Sequence, residues 1–225
     1  MEPKEAVAVV TGANRGLGRH PAIQLVERGA KVYAAARRPE TVDLPGVIPL
    51  RLDVTDKESI PIAARAASDA TPLVNNAGIS TATPLIAGGL DAVRLEMETN
   101  FFRPLAVTRT FAPVIEGNGG GAVLNVLSWL HPADLGSHAA AEAAAWALTD
   151  AAREEMAPHG IAVSALHVGY MDTDMAAGVP ADQKTDPADV AAQALYGIEM
   201  GMPEILADQT TRYVGQSLAA LPNAA

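Results

Sequence analysis

The sequence predicts an α/β domain in which seven parallel strands form one doubly wound sheet with helices on both faces. Short apolar runs rich in Val, Leu and Ala alternate with helical patterns along the chain, which is typical of βαβ units. A glycine-rich turn follows the first of these runs, at the point where a strand gives way to a helix. The 225 residues are enough for one large domain, and no repeat or linker divides residues 1–225. We therefore expect a single domain.

Each predicted strand is an apolar run bounded by turn-forming residues or by a helical pattern. The seven strands are Ala6–Val10, Val32–Ala36, Ile48–Leu52, Leu73–Val74 running into Asn75, Ala122–Leu127, Ile161–Leu166 and Glu204–Ala207. The helices are Leu17–Arg28, Lys57–Ser68, Leu90–Glu116, Ser137–Pro158 and Pro187–Met200. Because helical crossovers connect most successive strands, we expect the strands to run parallel.

Composition and charge exclude several classes of function. A formal net charge of -10 with scattered basic residues argues against a nucleic-acid-binding surface. No apolar run approaches the roughly 20 residues that a membrane helix needs, and no signal peptide pattern opens the chain. The absence of cysteine excludes thiolate chemistry, and His20, His131 and His167 lack the spacing of metal ligands. We expect a soluble, cytoplasmic protein without a metal site.

The glycine-rich turn is the first chemical signal. It has the spacing of a phosphate-binding turn only in part, but it joins an apolar strand to a helix whose N-terminus attracts negative charge. Its candidate binding residues are Thr11, Gly12, Asn14, Arg15, Gly16, Leu17 and Gly18. The position indicates a site for the pyrophosphate of a dinucleotide.

Basic residues follow the second predicted strand, where an enzyme that prefers the unphosphorylated cofactor would usually carry an acid. Arg37, together with Arg15 or Arg38, can bind a 2′-phosphate through charge-assisted hydrogen bonds. This pattern favours NADP(H) over NAD(H). The alternative is that both arginines are solvated side chains in a turn.

Several motifs in their order along the chain resemble the short-chain dehydrogenase/reductase family, which has a Rossmann-type fold. Besides the glycine turn, they are Leu52-Asp53-Val54, Asn75-Asn76-Ala77-Gly78, Asn100 and Val168-Gly169-Tyr170-Met171-Asp172-Thr173. The resemblance covers nearly the whole chain. It implies that Asp53 and Val54 contact adenine and that Thr173 holds the nicotinamide carboxamide. It also implies that Asn76, Ala77, Gly78 and Gly169 lie against the cofactor, and that Asn100 is a catalytic residue.

The catalytic positions depart from that family. Ser128 ends the fifth strand where the family's catalytic Ser is expected, but His138 and Glu142 stand where the family has Tyr and Lys. Nine residues separate Ser128 from His138, fewer than usual, so the Trp129–Ser137 loop is shortened. An ungapped count from His138 would instead assign Asn125.

The residues suggest one mechanism. His138 and Glu142 are four apart on one helix face and can touch, and a neighbouring carboxylate favours imidazolium. His138 would protonate the anion that forms as the reduced cofactor delivers hydride, while Ser128 donates a hydrogen bond to it. An imine or iminium substrate suits the site as well as a ketone. Replacing His138 by Phe should then reduce turnover far more than cofactor affinity.

Two other functions remain open. The substitutions can leave a nucleotide-binding pseudoenzyme or an inactivated, engineered variant. Alternatively, His138 and Glu142 can act as a general acid-base pair in isomerisation, elimination or hydrolysis without hydride transfer. The apolar residues Trp129, Leu130, Tyr170 and Met171 indicate a small or medium apolar substrate, and Ala176–Lys184 resembles a lid. By resemblance, helices Leu90–Glu116 and Ser137–Pro158 would form a homodimer or homotetramer.

Overall fold

The computed structural model describes residues 3–128 and 136–219. Seven parallel strands form one sheet in the order β3-β2-β1-β4-β5-β6-β7, which confirms the predicted fold class. The strands are β1 Val7–Thr11, β2 Lys31–Ala36, β3 Ile48–Arg51, β4 Pro72–Asn75, β5 Gly121–Ser128, β6 Ile161–Val168 and β7 Glu204–Leu206. The order reverses between β1 and β4, so a crevice opens at their carboxyl ends.

The helices cover both faces of the sheet. They are α1 Arg19–Glu27, α2 Ser59–Ala66, α3 Leu90–Met97, α4 Arg103–Gly117, α5 Ser137–Met156, α6 Pro187–Glu199 and α7 Gln209–Ala219. Within residues 3–128 and 136–219, none of these helices is long and apolar enough to cross a membrane.

The alternation of side chains along β1 shows how the sheet divides the core. Val10 faces one core with Leu25 of α1 and Leu195 of α6, whereas Val9 faces the other with Phe111 of α4. This is the two-residue period of a strand that is buried on both faces. Phe111 is fully buried, and its replacement by Ala would cost about 3–5 kcal/mol. The sheet is therefore a rigid base for the loops at its carboxyl edge.

The prediction of one uninterrupted helix over Leu90–Glu116 is wrong at its centre. A π-helical turn, Glu98–Phe102, lies between α3 and α4. Pro104 has no N–H to donate to the carbonyl of Asn100, which weakens the regular α-helical pattern there. Such turns often occur at functional sites, and this one contains Asn100.

Helix α7 was not among the predicted elements. Asp208 accepts the backbone N–H of Thr211 through Oδ1 at 2.8 Å, and Thr211 Oγ1 accepts the N–H of Asp208 at 3.2 Å. This reciprocal pair satisfies the first N–H groups of the helix, as a capping box does. The Asp-x-x-Thr spacing was readable in the sequence.

Candidate active site

The glycine turn is built on a hydrogen-bonded junction between β1 and β4. Thr11 Oγ1 donates to the carbonyl of Val74 at 3.2 Å and accepts the N–H groups of Asn76 at 2.9 Å and Ala77 at 3.0 Å. Asn76 Nδ2 donates back to the carbonyl of Thr11 at 2.9 Å. Thr11 and Asn76, which the sequence indicated as cofactor-binding residues, thus hold the two sides of the crevice together.

Glycine is required in the turn for two different reasons. Gly12 and Gly16 have φ of 68° and 55°, in the left-handed region that favours glycine. A Cβ on Gly18 would lie 2.5 Å from the carbonyl oxygen of Gly12, so only glycine permits that packing. A Cβ on Gly16 would meet only Thr173, at 3.8 Å.

The candidate pyrophosphate site is where Gly16 approaches Thr173. It lies beside the short helical turn Gly16–Gly18 and the start of α1, where N–H groups favour an anion. Leu17 is buried beneath the turn, and Asn14 Nδ2 donates to Thr41 Oγ1 at 3.1 Å on its outer side. The sequence-predicted Thr173 segment therefore does come to the glycine turn.

Exposed positive charge lies where the sequence predicts the adenosine end of a bound cofactor. Arg37 and Arg38 follow β2 and are exposed, and Arg15 lies 3.9 Å from Asp174 with both side chains mostly in solvent. The positive charge of Arg37 acts on the carboxylate of Asp53. Burial acts to raise the pKa of Asp53, but hydrogen bonds from Thr55 and the nearby arginine charges lower this pKa overall. Asp53 is thus ionised beside the arginines.

The neighbouring Val54 is buried and packs in the core that β1 shares with α4. Asp53 is partly exposed, whereas Val54 packs into this core.

Asn100 joins three parts of the site. Its Oδ1 accepts the N–H of Ile79 at 3.0 Å, and its Nδ2 donates to the carbonyl of Ile79 at 2.9 Å. The same Nδ2 lies 3.2 Å from His138 Nδ1. The two hydrogen bonds with Ile79 fix which side-chain amide atom of Asn100 is oxygen and which is nitrogen. His138 Nδ1 therefore accepts from the Asn100 amide, and the ring proton lies on Nε2. Gly78 leaves room for this arrangement, since a Cβ there would lie 3.3 Å from Asn100 Oδ1.

His138 and Glu142 are buried on one face of α5 but are not hydrogen-bonded to each other. His138 Nε2 and Glu142 Oε1 are 3.9 Å apart. Glu142 Oε2 instead accepts the backbone N–H of Ser128 at 2.7 Å. The carboxyl group is thereby attached to the end of β5, with Oε1 on the side of His138.

The expected imidazolium is wrong for this arrangement. Burial lowers the pKa of His138, although the charge of Glu96 acts to raise it. Burial raises the pKa of Glu142 to about 8, and Glu96 adds to that rise while the Ser128 N–H opposes it. Desolvation exceeds the mutual attraction because the two groups are too far apart for a hydrogen bond. Near neutral pH the proton is on Glu142, not on His138.

The two candidates for the family's Ser position have different surroundings. Ser128 lies at the carboxyl end of β5, directly beside Glu142. Asn125 lies inside the sheet, where its side chain accepts from Asn75 and donates to Thr149, both at 2.9 Å. Asn125 is a buried structural residue, and the strand context that favoured Ser128 agrees with its place at the crevice.

A small cavity lies beneath the candidate catalytic groups. Polar groups from the strand ends and apolar groups from α4 and α5 form its wall. The lining residues are Asn75, Asn76, Ala77, Gly78, Asn100, Pro104, Asn125, Val126, Leu127, Glu142, Ala145 and Leu148. Asn100 and Glu142 thus share a cavity at the carboxyl edge of the sheet.

The segment after β6 is held from the C-terminal side. The N–H of Gly169 donates to Asp208 Oδ2, and a Cβ on Gly169 would lie 3.0 Å from that oxygen. Met171 pairs with Thr185 in a short parallel bridge. The close contact with Asp208 therefore accounts for the glycine at position 169. The sequence did not indicate a role for Asp208.

The structure describes only some of the remaining predicted residues. Trp129, Leu130 and His131, with the rest of the 129–135 segment, lie outside the described residues. His167 lies on β6 away from the site, is fully buried and bonds Glu204 of β7. Over residues 3–128 and 136–219, no three His, Asp or Glu side chains are arranged to hold a metal ion.

Sequence reasoning missed Glu96. Its carboxylate is fully buried on α3 and accepts hydrogen bonds from the Thr81 N–H and the Ser137 hydroxyl. The available signal was its position four residues before Asn100, which puts both on one helix face.

Comparison with known proteins gives one consistent result. The family model for short chain dehydrogenases matches residues 6–184. A crystal structure of a short chain dehydrogenase from Burkholderia cenocepacia J2315 in complex with NADP has a TM-score of 0.93 and 38% identity, covering 98% of this chain and 95% of that one.

Two characterised relatives are similar over most of their length. Cis-4-hydroxycyclohexanecarboxylate dehydrogenase of Sinomonas cyclohexanicum is 34% identical over 220 residues, which are 91% of this chain and 87% of that protein. D-erythrulose reductase of Gallus gallus is 32% identical over 177 residues, which are 75% of this chain and 72% of that protein.

Proposed function

Because this chain belongs to the short chain dehydrogenase family, we propose that it is an NADP(H)-dependent reductase of a small or medium apolar carbonyl or imine. The observation that carries the proposal is the His138-Asn100 contact beside Glu142, at the carboxyl edge where the nucleotide crevice opens. Proton-handling groups thus lie next to the place where such a cofactor would present its reactive ring.

The preference for NADP(H) rests on charge. Arg15, Arg37 and Arg38 supply exposed guanidinium groups at the adenosine end, and guanidinium binds phosphate with paired hydrogen bonds. The similar Burkholderia protein was crystallised with NADP. A 2′-phosphate would also displace Asp174 as the partner of Arg15.

Bound NADPH would supply a hydride, and the protein's own groups supply the proton and the hydrogen bonds. The glycine turn and Thr173 would hold the cofactor against the sheet edge. His138, neutral with its proton on Nε2, donates a hydrogen bond to the substrate oxygen or nitrogen. Ser128, at the end of β5, offers its hydroxyl to the same atom.

Glu142 supplies the proton in this proposal. Its Oε2 is occupied by the Ser128 N–H at 2.7 Å, which leaves Oε1 to carry the proton. A substrate atom about 2.8 Å from both Oε1 and His138 Nε2 fits, because the two protein atoms are only 3.9 Å apart. As hydride adds to carbon, the C=O or C=N electron pair moves to the heteroatom, which takes the proton and leaves a carboxylate.

The experiment that tests this function combines binding with turnover. The protein is titrated with NADPH and with NADH by cofactor fluorescence, and NADPH oxidation is then followed with a panel of apolar ketones and cyclic imines. Selective NADPH binding and product formed in equal amount to NADPH consumed support the proposal. Arg37→Asp should weaken NADPH binding by about tenfold or more. Arg65→Asp, on the exposed face of α2, serves as the matched control.

A second candidate is a nucleotide-binding protein without turnover. The observation that favours it is the burial of both His138 and Glu142, with Glu142 already bonded to the Ser128 backbone. NADPH binding without consumption by any substrate would support this candidate. Turnover without NADPH consumption would instead indicate cofactor-free acid-base chemistry by the same pair.

We further propose that the chain assembles as a homodimer or homotetramer in the cytoplasm. Exposed apolar side chains on the α3 and π-turn side, including Leu90, Leu95 and Phe102, support association through that face. Light scattering of the purified protein measures the oligomeric state directly.

A further inference from the structure

The buried carboxylate of Glu96 is not used by the chemistry proposed above. A fully buried acid is costly to keep unless its oxygens are hydrogen-bonded. Both oxygens of Glu96 are bonded: Oε1 accepts the N–H of Thr81, and Oε2 accepts the hydroxyl of Ser137. These partners lie in two segments that meet only at the site.

The first segment is the chain after β4. Two side chains from the α3 and π-turn region hold it, since Glu96 accepts from Thr81 and Asn100 bonds both backbone groups of Ile79. Thr81 Oγ1 also donates to Thr83 Oγ1 at 2.8 Å. The path of this segment thus depends on residues 96 and 100 together.

The second segment is the start of α5. Ser137 is fully buried, and its N–H donates to the carbonyl of Thr83 at 3.1 Å. A Cβ on the preceding Gly136 would lie 2.2 Å from that same carbonyl oxygen. The first turn of α5 is therefore packed closely against the segment that Glu96 holds.

Two consecutive residues of α5, Ser137 and His138, each form a hydrogen bond with a side chain from the α3 and π-turn region. Glu96 bonds Ser137, and Asn100 bonds His138. We propose that Glu96 is a positioning residue of the active site: by joining Ser137 to Thr81, its carboxylate fixes the first turn of α5 and with it His138. The inference rests on the proposed role of His138 in reduction.

The charge of Glu96 gives this role a separate signature. The ionisable groups near His138 are Glu96 of α3, whose charge acts on it, and Glu142, whose Oε1 lies 3.9 Å away on the same helix. Its other polar neighbours are the Asn100 amide and the Ile79 backbone. Glu96 acts to raise the pKa values of both His138 and Glu142. Removing its charge should therefore lower both pKa values.

The test uses Glu96→Gln and Glu96→Asp in the full chain. The Cε1–H resonance of His138 is followed by NMR from pH 4 to 9 without cofactor or substrate, and it is assigned with His138→Phe. We expect Glu96→Gln to lower the His138 pKa and to reduce kcat between about tenfold and a hundredfold, since small misplacements of catalytic groups cost that much. Glu96→Asp, which retains the charge but cannot reach both partners, should reduce kcat with a smaller change of the His138 pKa.

Glu204→Gln is the matched control, because it removes another carboxylate next to a buried His without touching the site. It should leave the His138 titration and kcat unchanged. A folded Glu96→Gln variant with wild-type His138 titration and wild-type kcat would overturn the proposal. If Glu96→Gln does not fold, Ser137→Ala removes the same contact from the other side and should lower kcat; unchanged kcat there would overturn it equally.

The titration separates this proposal from the proposed function. A shifted His138 pKa in a protein that reduces no substrate would support the role of Glu96 at the site while contradicting the reductase activity.

Discussion

Two His-Glu pairs in this molecule, one buried and one partly exposed, behave in opposite ways. His138 and Glu142 lie 3.9 Å apart on one helix, both about nine-tenths buried, and the pKa of Glu142 rises to about 8. His167 and Glu204 lie 2.6 Å apart on neighbouring strands. Burial acts to raise the pKa of Glu204, but the His167 hydrogen bond and the Arg153 charge lower it overall.

Distance, water and a nearby cation account for the difference. Glu204 keeps about a third of its side chain exposed, and Arg153 lies 2.8 Å from its Oε1, so its charge is both solvated and paired. Glu142 is about nine-tenths buried, no Lys or Arg pairs with its carboxyl group among the described residues, and His138 is beyond hydrogen-bond distance. The same residue type therefore gives an ionised carboxylate at Glu204 and a neutral acid at Glu142.

The largest expected effect is on kcat, and it distinguishes the two His-Glu pairs. Glu142→Gln retains the shape and the acceptor for the Ser128 N–H but has no transferable proton, so kcat should fall about a hundredfold or more. Glu204→Gln should change kcat by less than about twofold. Steady-state kinetics at pH 7, with cofactor affinity measured in parallel, checks both. Equal losses in the two variants would remove the distinction drawn here.

The pH dependence of reduction sharpens the comparison. Because the acid is protonated below its pKa, kcat/KM should be constant at low pH and fall tenfold per unit as pH rises above about 8. The Glu142→Gln variant should lose this fall along with most of its rate. A rate that instead rises with pH between about 4 and 5 and stays constant above that range would assign the reaction to an ionised Glu142.

The unfolding free energy should also depend on the protonation of Glu142. The folded pKa of Glu142 is above its unfolded value of 4.5, so the folded state binds the extra proton and loses relative stability as pH rises from about 4.5 to 8. Glu142→Gln should match the wild type at pH 4 and exceed its unfolding free energy by about 4 kcal/mol at pH 8. Denaturant unfolding at both pH values measures this. A variant that is less stable at pH 8 would show that the carboxylate is ionised and paired.

The smallest expected effect has the opposite sign. The folded pKa of Glu204 is below its ordinary value, so its stabilisation is present above about pH 4.5 and lost as pH falls through the folded pKa. Glu204→Gln should lower the unfolding free energy at pH 7 by about 1 kcal/mol, because partial exposure screens the pair. The difference should shrink toward pH 3. If the Glu204→Gln variant loses no unfolding free energy at pH 7, the contacts of Glu204 with Arg153 and His167 do not stabilise the fold.

Most of the fold could be predicted because its signals are local. The apolar runs of β1 to β7 and the helical patterns between them depend on neighbouring residues only. The exceptions were the π-turn around Asn100, which depends on Pro104 and the contact with Ile79, and α7, whose Asp208-x-x-Thr211 cap was present but was not used.

The sequence predicted the residues of the candidate site better than it predicted their chemistry. The turn Gly12–Gly18, Asn100, Ser128, His138 and Glu142 were all indicated by position, and the structure brings the last four together. Glu96 was not indicated, because a buried acid and a surface acid look the same in a sequence. Whether Arg37 selects NADP(H) stays a prediction for the titration to decide.

The sequence alone determined the parallel sheet, the glycine turn and the absence of Tyr and Lys at positions 138 and 142, since hydrophobic period and residue identity are local properties. Only the tertiary structure decided where the proton lies. Spacing of four on a helix suggested a charged pair, but the ionisation of His138 and Glu142 depends on desolvation and on Glu96, Ser128 and Asn100. These groups are distant in the chain and meet only when the sheet and α5 have packed together.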